Sequence, residues 1–187
     1  TARNKTKRLY DDDNIGGLKI GSGSVLREGE DVAILSCGVM VERSLEAAFD
    51  LSKEGIESTV IDMHTIKPLD APLLDRVTKE CGCLVTAEDH SVIGGLGSAV
   101  AEWLSFNRPI PLEMVGVADR FGESGDSDDL MLILGLTSAE ISDAAIDPSV
   151  PSLADDLNLS YDYLDVDGDI ESGTTIFWFK DDVEQVE

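Results

Sequence analysis

Residues 31–62, DVAILSCGVMVERSLEAAFDLSKEGIESTVID, contain the pattern that decides the fold. Asp31 introduces four consecutive apolar residues, 32–35, a short run typical of a strand that is buried on both faces. Apolar residues then recur at helical spacing until Gly55 supplies a stop, and a second β-prone run follows at residues 59–61. The stretch therefore predicts a strand, a helix and another strand in succession.

The same alternation continues as far as residue 146. Two further strands are predicted at residues 84–87 and 112–117. Four more helices are predicted to begin at capping or glycine-rich sites, which are Asp70 with Pro72 in the first turn, Gly94 to Gly97, Ser127, and a capping box from Thr137 to Glu140. Alternating strands and helices indicate a three-layer α/β domain, in which right-handed crossovers place helices on both faces of a mostly parallel sheet.

The 187-residue chain is strongly acidic, with 38 Asp and Glu against 14 Lys and Arg and a net charge of -24. Because such a field repels phosphates, the sequence excludes a nucleic-acid binder held by phosphate contacts and argues against docking on an anionic membrane. No apolar run approaches the roughly 20 residues that a membrane-spanning helix needs. Apolar residues make up 42% of the chain, which is enough for a folded core.

The cysteines point to a reducing compartment. Cys37, Cys81 and Cys83 are an odd number with no partner set for a disulfide framework, so the simplest expectation is a cytoplasmic protein. The latter two form only a C-x-C pair, and the two histidines are far apart in sequence, so no zinc site is predicted.

The charge and the aromatic residues divide the chain at residue 147. Residues 1–146 carry 26 acidic and 13 basic residues, whereas residues 147–187 carry 12 acidic residues and one basic residue together with five of the ten aromatics. We expect an α/β domain over 1–146 and an ordered acidic extension over 147–187, with strands near 161–166 and 174–179 linked by an acidic turn. Residues 165–169, DVDGD, resemble the opening of a calcium loop but lack its later glycine and glutamate, so an acidic turn is favoured.

The candidate site lies among the loops that follow the predicted strands, because ligands bind outside the carboxyl ends of strands in open α/β sheets. Glu88, Asp89 and His90 form the richest of these loops. A carboxylate there can orient the His90 imidazole toward a substrate, or the ring can simply satisfy a local hydrogen bond. The glycines of Gly95-x-Gly97 either open a helix end to an anion or allow a tight turn.

Arg120 is the second candidate, in the stretch DRFGESG at residues 119–125. Its guanidinium can clamp a phosphate or carboxylate, or it can pair with Asp119 or Glu123. The sequence contains no phosphate-binding loop, G-x-S-x-G elbow or H-E-x-x-H motif, and nothing in it assembles a complete active site.

Taken together, several stretches resemble the C-terminal domain of transketolase-type enzymes over roughly residues 8–145. The matching stretches are LYDD at 9–12, GSVLREG at 23–29, VIDMHTIKPLD at 60–70, EDHSVIGGLGSA at 88–99 and DRFGESG at 119–125. The resemblance is nearest to transketolase, particularly its split forms. Deoxyxylulose-phosphate synthases share part of the pattern, and the beta subunits of 2-oxoacid dehydrogenases are more distant.

The resemblance implies a five-stranded, mostly parallel mixed sheet that strengthens a homodimer. It also implies that thiamine diphosphate and magnesium are bound in the full enzyme by two other domains, which this chain lacks, so that this chain alone binds no cofactor. The partner is then the thiamine-binding domains or subunit. In the synthases the arginine that matches Arg120 helps to bind the acceptor phosphate, whereas His90 lies toward the active site or the dimer interface with an open role.

Two classes of function follow as expectations. The leading hypothesis is a C-terminal, dimer-supporting domain that is inactive alone and contributes to two-carbon ketol transfer between sugar phosphates when joined to the thiamine-binding domains. Within this family, deoxyxylulose-phosphate synthase is the alternative activity. The alternative class is a stand-alone regulatory module that binds an anionic metabolite.

Overall fold

A computed structural model describes residues 7–10, 18–146, 178–180 and 183–185. The chain divides into two compact units, residues 1–150 and 151–187. The boundary that the sequence places after residue 146 stays a prediction. No helix in the described ranges is both long and apolar enough to span a membrane.

The described residues of the first unit form five strands and five helices. In chain order they are β1 (Ser24–Arg27), β2 (Val32–Ser36), α1 (Met40–Lys53), β3 (Ser58–Asp62), α2 (Ala71–Glu80), β4 (Cys83–Ser91), α3 (Leu96–Asn107), β5 (Leu112–Val117), α4 (Ser127–Ile133) and α5 (Ser138–Ile146). The sheet order is β1-β3-β2-β4-β5, with β1 antiparallel to β3 and the other pairs parallel. This confirms the five-stranded mixed sheet. Strand β1 is the one strand of this sheet that the residue pattern alone did not predict.

The helices cover both faces of the sheet, which confirms the three-layer architecture. Alternate residues of β2 supply two separate cores: Val32 and Ile34 pack on one face, and Ala33 and Leu35 pack on the other. The first core contains side chains of α1, α4 and α5, and the second contains side chains of α2 and α3. Strand β2 is therefore buried on both faces, as its continuous apolar run predicted.

Glycine ends α1 in the predicted place. Gly55 has a φ of 86°, a left-handed conformation that residues with a Cβ rarely adopt. Its N–H donates to the Ser52 carbonyl at 3.2 Å, and the Ile56 N–H donates to the Leu51 carbonyl at 3.1 Å. These two bonds form a Schellman motif, which satisfies carbonyls that the helix end leaves unpaired.

The helix starts agree with the sequence at Asp70 and differ at Ser127. The Asp70 carboxylate accepts the Leu73 N–H at 3.0 Å and also accepts the Gly23 N–H at 2.8 Å, so it caps α2 and holds the segment before β1. The expected cap at Ser127 is wrong, because Asp126 has the extended backbone of a cap residue and accepts the Asp128 N–H at 3.0 Å. Ser127 is the first residue inside α4.

Strand β4 is longer than its apolar run indicated. The prediction ended at residue 87, whereas the strand continues to Ser91, and its register with β5 shifts between Ala87 and Ser91. Glu88, Asp89 and His90 are therefore strand residues and do not lie in a loop. Their polarity concealed the strand, because hydrophobic pattern reports apolar burial, whereas Glu88 is buried but charged and Asp89 and His90 are exposed.

The second unit contains two described strands, Trp178–Lys180 and Val183–Gln185, which pair antiparallel. The first of them overlaps the predicted strand at 174–179 by two residues. The predicted strand at 161–166 and the calcium-like stretch at 165–169 lie outside the described residues.

Candidate functional site

A hollow of about 360 Å³ lies at the carboxyl ends of β2 and β4. From β2 the chain proceeds to β3 on one side, while β4 pairs with β2 on the other side, so this is the point where the strand order reverses. Such switch points are where open α/β sheets bind ligands. The residues that line the hollow come from both strand ends and the start of α3: Cys37, Gly38, Val39, Ile66, Glu88, Asp89, His90, Gly94 and Gly95.

Glu88 is bound to the start of α3. Its side chain is only 2% exposed, and its carboxylate accepts the Leu96 N–H at 2.7 Å and the Gly97 N–H at 2.8 Å. A carboxylate at this end of a helix also interacts favourably with the helix dipole. An anion at the glycine-rich helix start would therefore find two of the N–H groups already bonded to this chain's own glutamate.

The glycine before α3 allows this close approach. A Cβ added at Gly95 would lie 1.9 Å from Glu88 Oε2, far inside van der Waals contact. Gly94 has a φ of 79° and turns the chain just before it. The glycines therefore serve both the turn and the internal carboxylate.

His90 is exposed and makes a local hydrogen bond. Its Nδ1 lies 2.9 Å from the carbonyl oxygen of Ser91, which can only accept, so Nδ1 carries a proton. In the neutral ring Nε2 is then the acceptor. The sequence left two roles open for His90, a local hydrogen bond or a contact to a substrate. The structure shows the local bond, and because His90 also lines the hollow, the contact to a substrate stays open.

The Cys37 thiol is partly buried and lies near three carboxylates. Burial, followed by the charges of Glu88, Asp62 and Asp89, raises the pKa of the Cys37 thiol to about 11. The thiol is therefore protonated at neutral pH and is a poor nucleophile. The same carboxylates make the hollow unfavourable for an anionic ligand.

We expect Cys37 to resist alkylation in the folded chain. With a pKa near 11, about one thiol in a thousand is ionised at pH 8, and the rate with iodoacetamide should rise about tenfold per pH unit between pH 7 and 10. Mass spectrometry of each cysteine-containing peptide measures this rate. The control is the chain in urea, where Cys37 should react like an ordinary thiol. Equal rates for folded and unfolded chain at pH 7.5 would contradict the expected pKa.

Arg120 lies in the loop between β5 and α4, and the residues that line the hollow do not include it. Its guanidinium pairs with the Glu123 carboxylate, which is one of the two pairings that the sequence allowed. Asp119 has a φ of 26° at the start of this loop, and the neighbouring Phe121 is 97% exposed. The two candidate residues, Arg120 and His90, are therefore on different elements, and of the two only His90 lines the hollow.

Tyr10 makes a polar contact at this end of the sheet that the sequence did not predict. The Tyr10 hydroxyl donates to Asp62 Oδ2 at 2.7 Å. Burial and the Asp62 carboxylate raise the pKa of Tyr10 to about 12, so the phenol keeps its proton. The sequence signal for this contact was Asp62, a carboxylate that directly follows a buried apolar run. Asp62 is only 7% exposed, so its carboxylate needs a partner within the domain.

The described residues do not fit thiamine diphosphate with magnesium. Among them, no group of three or more His, Cys, Asp and Glu side chains is placed to hold a metal ion. In the hollow, Glu88 occupies helix N–H groups that a diphosphate would use, and Asp89 adds a further negative charge.

Comparison with known proteins identifies the class. The family described as "Transketolase, C-terminal domain" matches residues 21–141. Because this match covers more than half of the 187 residues, the chain belongs to the transketolase C-terminal domain family.

Curated relatives agree with this family. The chain is 51% identical over 126 residues to the 6-deoxy-6-sulfo-D-fructose transketolase subunit SqwH of a Clostridium species, covering 67% of this chain and 39% of the relative. It is 38% identical to a putative transketolase C-terminal section of Methanocaldococcus jannaschii, covering 74% and 43%. It is 38% identical to 1-deoxy-D-xylulose-5-phosphate synthase 1 of Geobacter sulfurreducens, covering 71% and 21%. The chain thus spans less than half the length of these relatives.

Solved structures share the fold. A split-gene transketolase described as an inactive β4 tetramer matches with a TM-score of 0.73 and 45% identity, over 76% of this chain and 46% of that one. The transketolase of Campylobacter jejuni matches with a TM-score of 0.51 and 20% identity, over 66% of this chain and 18% of that one. The second likeness concerns the fold alone.

Proposed function

We propose that this chain is the C-terminal part of a thiamine diphosphate-dependent transketolase-type enzyme and is inactive alone. The whole enzyme transfers a two-carbon ketol unit between sugar phosphates. Membership of the transketolase C-terminal domain family supports this proposal. So does the high identity to a protein named as a transketolase subunit, of which the chain covers 39%.

One observation carries the claim that the chain does no chemistry by itself. The polar groups at the strand ends are engaged within the domain: Glu88 bonds the start of α3, His90 bonds Ser91, and Arg120 pairs with Glu123. Cys37 is protonated because its pKa is raised to about 11. Catalysis by a covalent intermediate needs an activated nucleophile, and these contacts leave none among the described residues that line the hollow, where His90 Nε2 remains as an acceptor.

The partner in this proposal is the thiamine-binding part of the same enzyme, which holds thiamine diphosphate and magnesium. Arg120 is the proposed contact to a substrate phosphate, for which its guanidinium must exchange Glu123 for the phosphate. The exposure of both side chains, 44% and 50%, favours this exchange because exposed ion pairs are weak. His90 is the second proposed contact. Self-association as a homodimer is proposed to use the α/β unit.

The test is an assay of the 187-residue chain with and without the thiamine-binding part. Thiamine diphosphate, magnesium and pairs of ketose and aldose phosphates are supplied in both cases, with 6-deoxy-6-sulfo-D-fructose as a further donor. We expect no turnover by the chain alone and turnover when the thiamine-binding part is added in trans or joined to the chain. An adjoining reading frame is the first place to look for it.

Three results separate the alternatives. Turnover by the chain alone would overturn the proposal, and synthesis of deoxyxylulose phosphate by the joined protein would change the activity within the family. A micromolar fluorescence response of the chain alone to a sugar phosphate, abolished by Arg120→Ala, would favour the stand-alone binding module instead. Glu102→Gln, on α3 and exposed, is the matched control for loss of an exposed charge.

A further inference from the structure

Strand β5 lies at one edge of the five-stranded sheet and pairs with β4. Beside that pairing, the Leu84 N–H donates to the Pro111 carbonyl oxygen at 2.9 Å, so the odd-numbered residues of β5 face β4. Because backbone groups of successive strand residues point to opposite sides, the N–H and C=O groups of Met114 and Gly116 point away from β4. In the part of the chain that the structure describes, no hydrogen bond joins these groups to another residue. We call this side the outer edge of β5, and it offers free backbone donors and acceptors.

The opposite edge of the sheet is less suited to pairing with a further strand. Strand β1 is four residues long, and its register with β3 shifts between Val25 and Arg27. Short and irregular edges discourage further pairing. Strand β5 is six residues long, and its residues 112–115 pair with β4 in a regular register. Of the two edges, the outer edge of β5 is therefore the one that can accept another strand.

A hollow of about 370 Å³ lies beside β5, between this strand and the region of α4 and α5. Its lining includes three carboxylates, Glu113 of β5 and Glu140 and Asp143 of α5. No described basic side chain forms an ion pair with any of the three. The other residues that line the hollow are uncharged. The hollow therefore holds negative charge beside the outer edge of β5, and no described cation compensates it.

The side chains of β5 show which face of an added strand would meet these carboxylates. Val115 packs in the core that contains side chains of α5, whereas Leu112 packs in the core of α2 and α3. Since side chains alternate along a strand, Glu113 lies on the α5 face with Val115, and Met114 lies on the other face. A strand along the outer edge likewise directs every second side chain to the α5 face, toward the hollow. Positive side chains at these positions, with apolar ones between them beside Met114, fit this surface.

We propose that the outer edge of β5 binds an extended basic segment of a partner protein, which joins the sheet as a sixth strand. Backbone hydrogen bonds to Met114 and Gly116 supply the pairing, and Lys or Arg at every second position meets Glu113, Glu140 and Asp143. A second copy of β5 fits less well, because it would bring another Glu113 to the same carboxylates. The surface shares no lining residue with the hollow at the ends of β2 and β4, and it does not rest on the proposed function.

Binding of the acetylated and amidated peptide TKVKVKT to the full chain tests the proposal, measured by isothermal titration calorimetry at low salt. The lysines of this peptide share one face of an extended strand, and the valines share the other. We expect it to bind about tenfold or more tightly than TEVEVET, which has the opposite charge. The peptide KKTVVTK has the same composition without the alternation and should bind about threefold more weakly than TKVKVKT. No binding of TKVKVKT, or equal affinity for the three peptides, would overturn the proposal.

The double variant Glu140→Gln/Asp143→Asn should bind TKVKVKT about threefold to tenfold more weakly, as expected for the loss of two exposed pairs. The matched control is Glu30→Gln/Glu54→Gln, which removes two exposed carboxylates that do not line the hollow and should leave the affinity unchanged. Equal affinities of the two double variants would contradict the proposal. Self-association of Glu140→Gln/Asp143→Asn without loss of peptide affinity would also contradict it, because the carboxylates would then serve only to keep the edge unpaired.

Amide hydrogen exchange of the unaltered chain, followed by NMR, measures the pairing without any variant. With saturating TKVKVKT, the N–H groups of Met114 and Gly116 should exchange about tenfold more slowly, because they become hydrogen-bonded. The N–H groups of Glu113 and Val115 already face β4 and are the internal control, with an expected change of less than about twofold. Binding that leaves exchange at Met114 and Gly116 unchanged would overturn the proposal, since charge alone would then hold the peptide.

Discussion

Replacing Glu88 by leucine is expected to lower the free energy of unfolding by about 2–5 kcal/mol, because it leaves two buried N–H donors without an acceptor. These donors are the Leu96 and Gly97 N–H groups, and both lie at 2.7–2.8 Å from the carboxylate. Leucine is close to glutamate in size, so the change removes the acceptors with little loss of volume. Urea unfolding followed by circular dichroism measures the effect.

Asp89→Asn is the matched control for Glu88→Leu. Asp89 is the next residue of the same strand and is exposed, so its replacement should change the free energy of unfolding by less than about 0.5 kcal/mol. A Glu88→Leu variant as stable as the control would show that the carboxylate does not hold the start of α3. An unchanged slope of unfolding against urea concentration is needed for the comparison.

Gly95→Ala is expected to cost about 2–3 kcal/mol of unfolding free energy, because the new methyl group overlaps the Glu88 carboxylate. The added Cβ would lie 1.9 Å from Oε2 and 2.6 Å from Cδ of Glu88. Since the carboxylate is buried and bonded to α3, it cannot move without losing its hydrogen bonds. Thermal or urea unfolding of the full chain measures the cost.

A double-mutant cycle shows whether Glu88 is the cause. In a Glu88→Ala background the clash is absent, so Gly95→Ala should then cost less than about 0.5 kcal/mol and the coupling should exceed about 1 kcal/mol. Gly82→Ala is the control, because a Cβ there meets no atom within 4 Å. Additive effects of the two replacements would refute the overlap as the source of the instability.

Most of the fold could be predicted from the sequence because its signals are local. The apolar run at 32–35 and the stop at Gly55 decided β2 and α1, and Asp70 marked the start of α2. Strand β1 gave a weak signal, because it is four residues long and all four are only partly buried. Its pairing with β3 depends on contacts about 35 residues apart in sequence, which no local pattern reports.

The sequence predicted the position of the candidate site better than the roles of its residues. The rule for strand ends pointed to the segments at the ends of β2 and β4, and residues of both segments do line one hollow, although Glu88, Asp89 and His90 belong to β4 itself. The roles of Glu88 and Arg120 could not be predicted, because they depend on distances between elements that are apart in sequence. The sequence around Glu88 is the same whether its carboxylate faces a substrate or caps α3. Only the 2.7 Å hydrogen bond from the Leu96 N–H decides between these two roles. Likewise, sequence alone allowed Arg120 two partners and could not choose Glu123.

The length of β4 has a consequence for recognition at the edge of the sheet. The strand extends past the exposed His90 to Ser91, which pairs with Val117 of β5, so His90 lies directly beside a paired position although the register shifts between Ala87 and Ser91. A partner that contacts His90 therefore meets a preorganised group, whose backbone loses little conformational entropy on binding. Arg120, on a loop, has to be ordered at the moment of contact. Of the two, His90 is the one suited to set the geometry of a complex, and Arg120 is suited to adjust to it.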